Sequence, residues 1–483
     1  MSYSDTINYL YSLQKYGIKL GLDNTVKLLS CFNNPQASFK SVHIAGTNGK
    51  GSTSAMVASI LQSAGFKVGL FTSPHLVSFT ERIRVNNEEI TESEVVELAE
   101  EIRDRIENTP SLTLPPRGGG MGGGDDSKLN PTFFEVVTAM GFIYFERKNI
   151  DWAVVETGMG GRLDATNVLM PEVSVITGIS YDHKEFLGET ISAIAEEKAG
   201  IIKNRIPVVT SEQEPAVMDV IKKKADEKGS GLFIYGKDFS VTAKKEGING
   251  SIFDYRGDME LEGLEIFLAG RHQILNASLA VKTSEVLIKK SAPLASKLTA
   301  EVIKSGIESM EWHGRLEFIS DNPPILIDGA HNPSASSVLA DSLRNNFLNT
   351  YRRIILIMGI MADKDIKGIM APLLPLASEI IFTAPAYERA AQPATLARHA
   401  ASLGFTNIHI ARTVKDAIEM AAEISQKSEV RSQIPPHPPL AKGGSEEGVN
   451  PALTVITGSF YTIGEAKEAL GAKGILSRLR ETV

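Results

Sequence analysis

Along most of this chain, apolar runs too short to be helices alternate with stretches in which apolar residues recur every three or four positions. The first such stretch carries Ile7, Leu10 and Tyr11, with Gly17 placed to end the helix. "SVHIAG" predicts a buried strand, residues 52–64 the helix after it, and Gly65 the end of that helix. "KVGLFTS" predicts the second strand. Thr91 and Glu94 form a capping-box pattern ahead of the charged helix "SEVVELAEEIRDRIE". "DWAVVETG", "VSVITGIS" and "IPVVTS" are further β-rich runs, with a helix expected around "SAIAEEKAGIIK". Strands alternating with helices in this way imply a mostly parallel sheet covered on both faces.

Between residues 233 and 268 the period shortens to alternating strands with glycine turns, the mark of a small antiparallel patch. A helix over 272–289 follows, and then "KKSAPLASK", which reads as a hinge. The α/β alternation restarts with "PILIDGA", "RIILIMGI", "EIIFTAP", "TNIHIA" and "LTVITGS". Two domains are therefore expected, over residues 1–296 and 297–483. Residues 114–131 and 434–451 stand outside this order. Both are rich in proline and glycine, cannot bury a core, and read as surface insertions without chemistry. A glycine-rich phosphate cradle is the weaker reading of the first, because no strand enters it and no helix leaves it.

Composition narrows the class. At 483 residues the chain is too long for one ordinary domain, and 42% hydrophobic with 22% charged residues is typical of a globular protein. A net charge of −8 argues against nucleic acid or an anionic membrane as the main partner. Cys31 is the single cysteine, so no internal disulfide can form, which suits a reducing compartment. The first residues lack the basic and apolar regions of a signal peptide, and no apolar run is long enough to span a bilayer. The cytoplasm is the expected location.

The chemistry starts at "HIAGTNGKGSTS", residues 43–54. It resembles a phosphate-binding loop shortened by two residues, set between a predicted strand and a helix. Gly46, Gly49 and Gly51 let backbone N–H groups approach an anion. Lys50 can neutralise terminal phosphates, and Ser52 or Thr53 can reach a bound Mg²⁺. The N-terminal domain thus reads as P-loop ATPase-like with a small antiparallel patch, and the C-terminal one as Rossmann-like α/β. Ser73, Glu156 and His183 follow strands whose carboxyl ends should converge beside this loop, and Lys198 lies in a helix that should cross back near it. Taken singly, each has an ordinary reading: Ser73 as a helix cap before Pro74, His183 as a loop histidine, Lys198 as a solvated helix charge. "GMGGRLDATN", directly after Glu156, reads as a ligand loop in which Arg162 and Asp164 offer a donor and an acceptor.

Taken together, these segments resemble the folylpolyglutamate synthase/dihydrofolate synthase family, in the muramyl-ligase superfamily of ATP-dependent amide ligases. "LGLDNTVKLL", "AGTNGKGST", "TSPHLVSFTERIRV", "PTFFE", "ETGMGGRLDATN", "EKAGIIK", "RHQILNAS", "HGRLEFI" and "DGAHNP" carry the resemblance nearly end to end. The resemblance implies that Gly49, Lys50, Gly51 and Ser52 hold the ATP phosphates, and that Asn276, Arg315 and Asp328 also contact the nucleotide. It implies Mg²⁺ at two sites, with Ser73, Glu156 and His183 as ligands and Lys198 carbamylated by CO₂ to help hold the second cation. Thr132, Phe133, Phe134 and Glu135, with Leu163, Asp164 and Ala165, are expected to border the pterin. Lys50, Lys198 and His183 are the expected catalytic residues, and His331 lies in a motif at the cleft. The chain departs from the family pattern at Trp312-His313, where tryptophan–proline is usual, and at Thr157, where valine is commoner. The implied activity is addition of L-glutamate to dihydropteroate, to reduced folates, or to both, by a monomer. The rival reading of the loop is a nucleotide switch or ATPase without ligase activity.

Overall fold

The computed structural model describes residues 1–17, 21–108, 129–432 and 452–471. The two expected insertions therefore lie outside the described residues, except for 129–131. Eight strands form the first sheet among the described residues: β1 (Lys40–Ala45), β2 (Val68–Phe71), β3 (Ile83–Val85), β4 (Glu88–Glu89), β5 (Trp152–Glu156), β6 (Val173–Ile176), β7 (Val208–Thr210) and β8 (Leu232–Ile234). Their order is β4-β3-β2-β5-β1-β6-β7-β8, and only β3 runs opposite to the others, pairing antiparallel with both β2 and β4. β2, β5, β6 and β7 are buried along their whole length, as strands covered on both faces must be. Ile44 and Val154 point into one layer, while Ala153 and Val155 point into the other.

The antiparallel patch is β9 (Ser240–Gly247), β10 (Gly250–Arg256) and β11 (Glu260–Ile266). It begins later than the alternation implied, because Phe233 and Ile234 belong to β8 and pair in parallel with β7. Helix Arg271–Ile288 follows. The second sheet comprises β12 (Glu317–Asp321), β13 (Pro324–Ile327), β14 (Ile354–Met358), β15 (Glu379–Phe382), β16 (Ile408–Ile410) and β17 (Leu453–Thr457), in the order β12-β13-β17-β14-β15-β16. All five strands expected here are present. β12, an antiparallel edge strand, was not apparent from the pattern.

"KKSAPLASK" is not an open hinge. Most of it forms helix Ala292–Lys297, and Leu294 is buried against the first core. The next helix, Ala300–Glu308, packs on helix Lys50–Ser63, with Ile303, Ile307 and Met310 in that same core. Apart from Ala269, the buried residues of the second core start at Leu316. Leu294, Leu298, Ile303, Ile307 and Met310, all within or beyond the expected hinge, thus pack in the first core, and Trp312 packs against it. No helix among the described residues is long and apolar enough to cross a membrane.

Ile303 tests this assignment. If its helix belongs to the first core, Ile303→Ala removes fully buried methyl groups and should lower the unfolding free energy by about 3 kcal/mol in urea. A linker position would be neutral within about 0.5 kcal/mol.

Candidate active site

The phosphate-type loop leaves the carboxyl end of β1, between β5 and β6, and runs into helix Lys50–Ser63. Gly49 is the residue before that helix, in a left-handed conformation with φ +89°. A Cβ there would lie 2.4 Å from Asn276 Oδ1, and one at Gly46 would lie 1.9 Å from Thr177 Oγ1. Neither position accepts a larger residue without displacing its neighbour. Thr47 fastens the loop to the segment after β6 through Ser180, donating to its carbonyl at 2.9 Å and accepting its N–H at 3.0 Å. Gln213 braces that segment by accepting from Ile179 N–H at 3.0 Å and donating to the Thr177 carbonyl at 2.9 Å. Ser52 Oγ is buried without a hydrogen-bond partner.

Around the loop sit the groups from neighbouring strands. Lys50 Nζ is 3.8 Å from Glu156 Oε1, and the Ser73 N–H donates to Glu156 Oε2 at 3.1 Å. No helix begins at Pro74, so Ser73 does not serve as a helix cap. Burial raises the Glu156 carboxyl, against the opposing charge of Lys50 and the Ser73 N–H. His183 has φ +48° and precedes the short helix Lys184–Leu187; burial holds its imidazole down to about 3, so it is neutral and able to ligate. Lys198 is 4% exposed, not a solvated charge, and its Nζ donates to the Gly46 carbonyl at 2.8 Å. Burial, aided by Lys50, lowers its amine to about 7.

Among the described residues, no three His, Cys, Asp or Glu side chains gather as a cation site by themselves. One carboxylate, one neutral imidazole and the hydroxyls of Ser52 and Ser73 instead suit a hard cation that completes its shell with phosphate oxygens and water. The donor set fits Mg²⁺ held together with a nucleotide.

The second domain closes the site. Asp328 is buried and Arg315 half-buried, and the Arg315 guanidinium lies 4.7 Å from the centre of the Phe460 ring. Asp328 accepts from the N–H groups of Leu316 and Ala330 at 3.1 and 2.9 Å. Trp312 packs on the loop helix, with Cζ2 2.9 Å from where a Gly51 Cβ would be. The cavity between the domains has a volume of about 810 Å³. Apart from Thr53, which is buried behind the loop and does not line it, every residue singled out above for phosphate, nucleotide, metal or pterin lines the cavity, and so does His331.

Three readings change in detail. "TFFE" is a capping box at the start of helix Phe133–Arg147: the Thr132 N–H donates to Glu135 Oε2 at 2.6 Å, and Thr132 Oγ1 accepts from the Glu135 N–H. Threonine followed three residues later by glutamate is a capping signal legible in the sequence, which the pterin expectation passed over. Phe133 stacks on Tyr11 with ring centres 5.1 Å apart, and half-buried Phe134 faces Gly158. Asp164 is spent on its own loop, accepting from Met159 and Thr166 N–H groups at 2.9 and 3.0 Å. Arg162 does not line the cavity; it is 55% exposed and pairs with Glu197 at 2.7 Å.

Sequence reasoning gave Asp182, the neighbour of His183, no role. Lys364, from the second domain, donates to it at 2.8 Å, Asn332 Nδ2 donates at 3.2 Å, and His331 Nε2 stands 3.7 Å away. Burial alone would raise this carboxyl. His331, His183 and Lys364 reverse that and hold it well below the usual carboxylate range. Asn332 also exchanges amide hydrogen bonds with Asn48 of the phosphate loop at 3.1 and 3.4 Å.

With this geometry established, similarity to known proteins is decisive. The dihydrofolate synthase/folylpolyglutamate synthase of Bacillus subtilis is 34% identical over 472 residues, covering 97% of this chain and 99% of that protein. The chain belongs to the dihydrofolate synthase/folylpolyglutamate synthase family. Residues 120–283 match the Mur ligase middle domain, and residues 314–430 match the Mur ligase glutamate ligase domain. The folylpolyglutamate synthase of Lacticaseibacillus casei is 34% identical over 97% of this chain and 99% of its own length. Among solved structures, the Mycobacterium tuberculosis folylpolyglutamate synthase complexed with ADP and AMPPCP superposes with a TM-score of 0.85 at 30% identity, covering 98% of this chain and all of that one.

In this family frame, the phosphate loop carries a sharp prediction. Gly49→Ala would place a Cβ in a left-handed residue and against Asn276. It should cost about 1–2 kcal/mol in thermal unfolding and weaken nucleotide binding at least about tenfold in a calorimetric titration with AMPPCP.

Proposed function

We propose that this ATP-dependent ligase joins the amino group of L-glutamate to a carboxylate of dihydropteroate or of a reduced folate, releasing ADP and phosphate. The observation that carries this reading is the convergence of loop 46–53, Glu156, His183 and Lys198 with Arg315 and Asp328 on one interdomain cavity. A carboxylate does not accept an amine until one of its oxygens becomes a leaving group. A substrate carboxylate oxygen attacks the γ-phosphorus of ATP, the bond to the β–γ bridging oxygen breaks, and an acyl phosphate and ADP result. Lys50 and the loop N–H groups offset charge on the transferred group. The deprotonated amine then attacks the acyl carbon, and collapse of the tetrahedral intermediate expels phosphate and leaves an amide.

Mg²⁺, when bound, would polarise the phosphoryl oxygens; Ser73, Glu156 and His183 are the residues to hold it, with Lys198 beside a second site. Phe134 and the loop of Leu163, Asp164 and Ala165 would border the pterin. Asn276, Arg315 and Asp328 would hold the nucleotide. The contacts from Asp182 to Lys364 and Asn332 keep the domains together, which excludes water that would hydrolyse the acyl phosphate. All of these groups come from one chain, so the reading needs no second copy.

ATP consumption should require both a pteroyl or folyl carboxylate and glutamate. An assay with dihydropteroate or tetrahydrofolate, each with and without L-glutamate and followed by mass analysis, measures this and identifies the acceptor. Rapid hydrolysis indifferent to both substrates would sink the reading.

Lys198 is read as carbamylated. CO₂ adds only to a neutral amine, and burial brings Lys198 to about 7 where an exposed lysine would stay charged. The carbamate replaces a cation beside the phosphates with oxygen donors. Lys198→Ala should remove most ligation, by about 100-fold or more in kcat, with partial rescue by acetate. Lys198→Arg keeps a positive charge that takes up no CO₂, and should be as defective. Full activity of Lys198→Arg at saturating Mg²⁺ and ATP would overturn the carbamate.

A further inference from the structure

Arg315 sits in a turn that backbone preference alone would not hold. Gly314 before it has φ +74°, and Leu316 after it has φ +43°. The left-handed region is rarely adopted by a branched non-glycine residue, so the surroundings must impose it. Two carboxylates clamp the turn from opposite sides. Asp328 accepts the Leu316 N–H at 3.1 Å, and Glu317 Oε2 accepts the Gly314 N–H at 2.6 Å.

Glu317 is itself braced. Its Oε1 receives Lys467 Nζ at 2.8 Å and His313 Nδ1 at 2.9 Å. Burial would raise the Glu317 carboxyl, but these partners bring it down to about 2, so it stays ionised. Lys467 lies near the end of helix Phe460–Ala469, whose first residue supplies the ring beneath the Arg315 guanidinium. Gly329 keeps the slot open: a Cβ there would meet Arg315 Nη1 at 2.7 Å and the Phe460 ring at 2.5 Å. One helix therefore provides both the surface on which Arg315 lies and the ammonium that steadies the backbone presenting it. Neither Glu317 nor Lys467 lines the cavity. His313 is 54% exposed, so its pair with Glu317 adds little beside the Lys467 contact.

We propose that Glu317, braced by Lys467, is a positioning residue for Arg315, fixing the Gly314–Leu316 turn so that the guanidinium lies across Phe460 and faces the nucleotide end of the cavity. The proposal rests on the reading of Arg315 as a nucleotide contact.

Steady-state kinetics of the full chain, with thermal melting in parallel, test it on Glu317→Ala, Glu317→Gln, Lys467→Met, Arg315→Ala and the double variant Glu317→Ala/Arg315→Ala. Glu317→Ala should lower kcat/KM for ATP about tenfold, while KM for glutamate and for the pteroyl substrate stays within about twofold. Glu317→Gln retains an acceptor for the Gly314 N–H and should lose only about threefold, as should Lys467→Met. In the Arg315→Ala background, Glu317→Ala should add no further loss, because the group it positions is gone. Losses that multiply in the double variant would mean a general structural role and overturn the proposal. So would a kcat/KM for ATP within twofold of wild type in Glu317→Ala while Arg315→Ala is impaired. An unimpaired Arg315→Ala sinks the nucleotide reading of Arg315 and this proposal with it. If Glu317→Ala does not fold, Glu317→Gln and Lys467→Met carry the same comparison.

Discussion

The constraint on which this site depends is the absence of space beside three glycines. A Cβ at Gly46 would strike Thr177 at the end of β6, one at Gly49 would strike Asn276 of helix Arg271–Ile288, and one at Gly51 would meet Trp312. These neighbours come from three separate stretches of chain, and the last lies next to the second domain. A loop so tightly enclosed has its N–H groups already arranged before an anion arrives, so little ordering remains to be done on binding. The same packing links the loop to everything that must meet the nucleotide.

Electrostatics adds a second constraint. Lys50, Glu156, Lys198 and Asp182 are all buried or nearly so, and each has a specific neighbour. Lys50 stands 3.8 Å from Glu156, Lys198 has the Gly46 carbonyl, and Asp182 has Lys364 and Asn332. A buried charge without such partners would cost several kcal/mol. The partners of Asp182 come from the other domain, so the two bodies are held together by charge as well as by apolar contact. Apposition of the domains therefore comes with the burial of that carboxylate.

Much of the fold was legible from local pattern. Continuous apolar runs such as "WAVVE" and "IILIM" marked strands covered on both faces, and the sheets contain them in parallel pairs. The Thr91–Glu94 capping box was also readable, and its reciprocal hydrogen bonds are present at 2.9 and 3.2 Å. What misled was local pattern that tertiary contacts override. "KKSAPLASK" carries proline and lysines that read as a hinge, yet Leu294 and Leu298 find the first core and the segment folds as helix. β12 carries no clean alternation, and as the edge strand it pairs, among the described residues, with β13 alone.

By itself the sequence determined the class of the protein. A strand–glycine loop–helix order specifies a phosphate-binding α/β domain, because glycine placement and strand periodicity are properties of adjacent residues; the resemblance of motifs nearly end to end is what pointed to a ligase. Only the tertiary structure decided the condition of each charge. Lys198 looks like any lysine on a helix; burial under the loop lowers its amine. Asp182 looks like a loop aspartate, and becomes the interdomain anchor only when Lys364 and Asn332 arrive from residues far along the chain. Glu317 holds the Arg315 turn only because Lys467 reaches it from a distant helix. Burial and charge pairing depend on which remote segments meet, and local sequence does not carry that information.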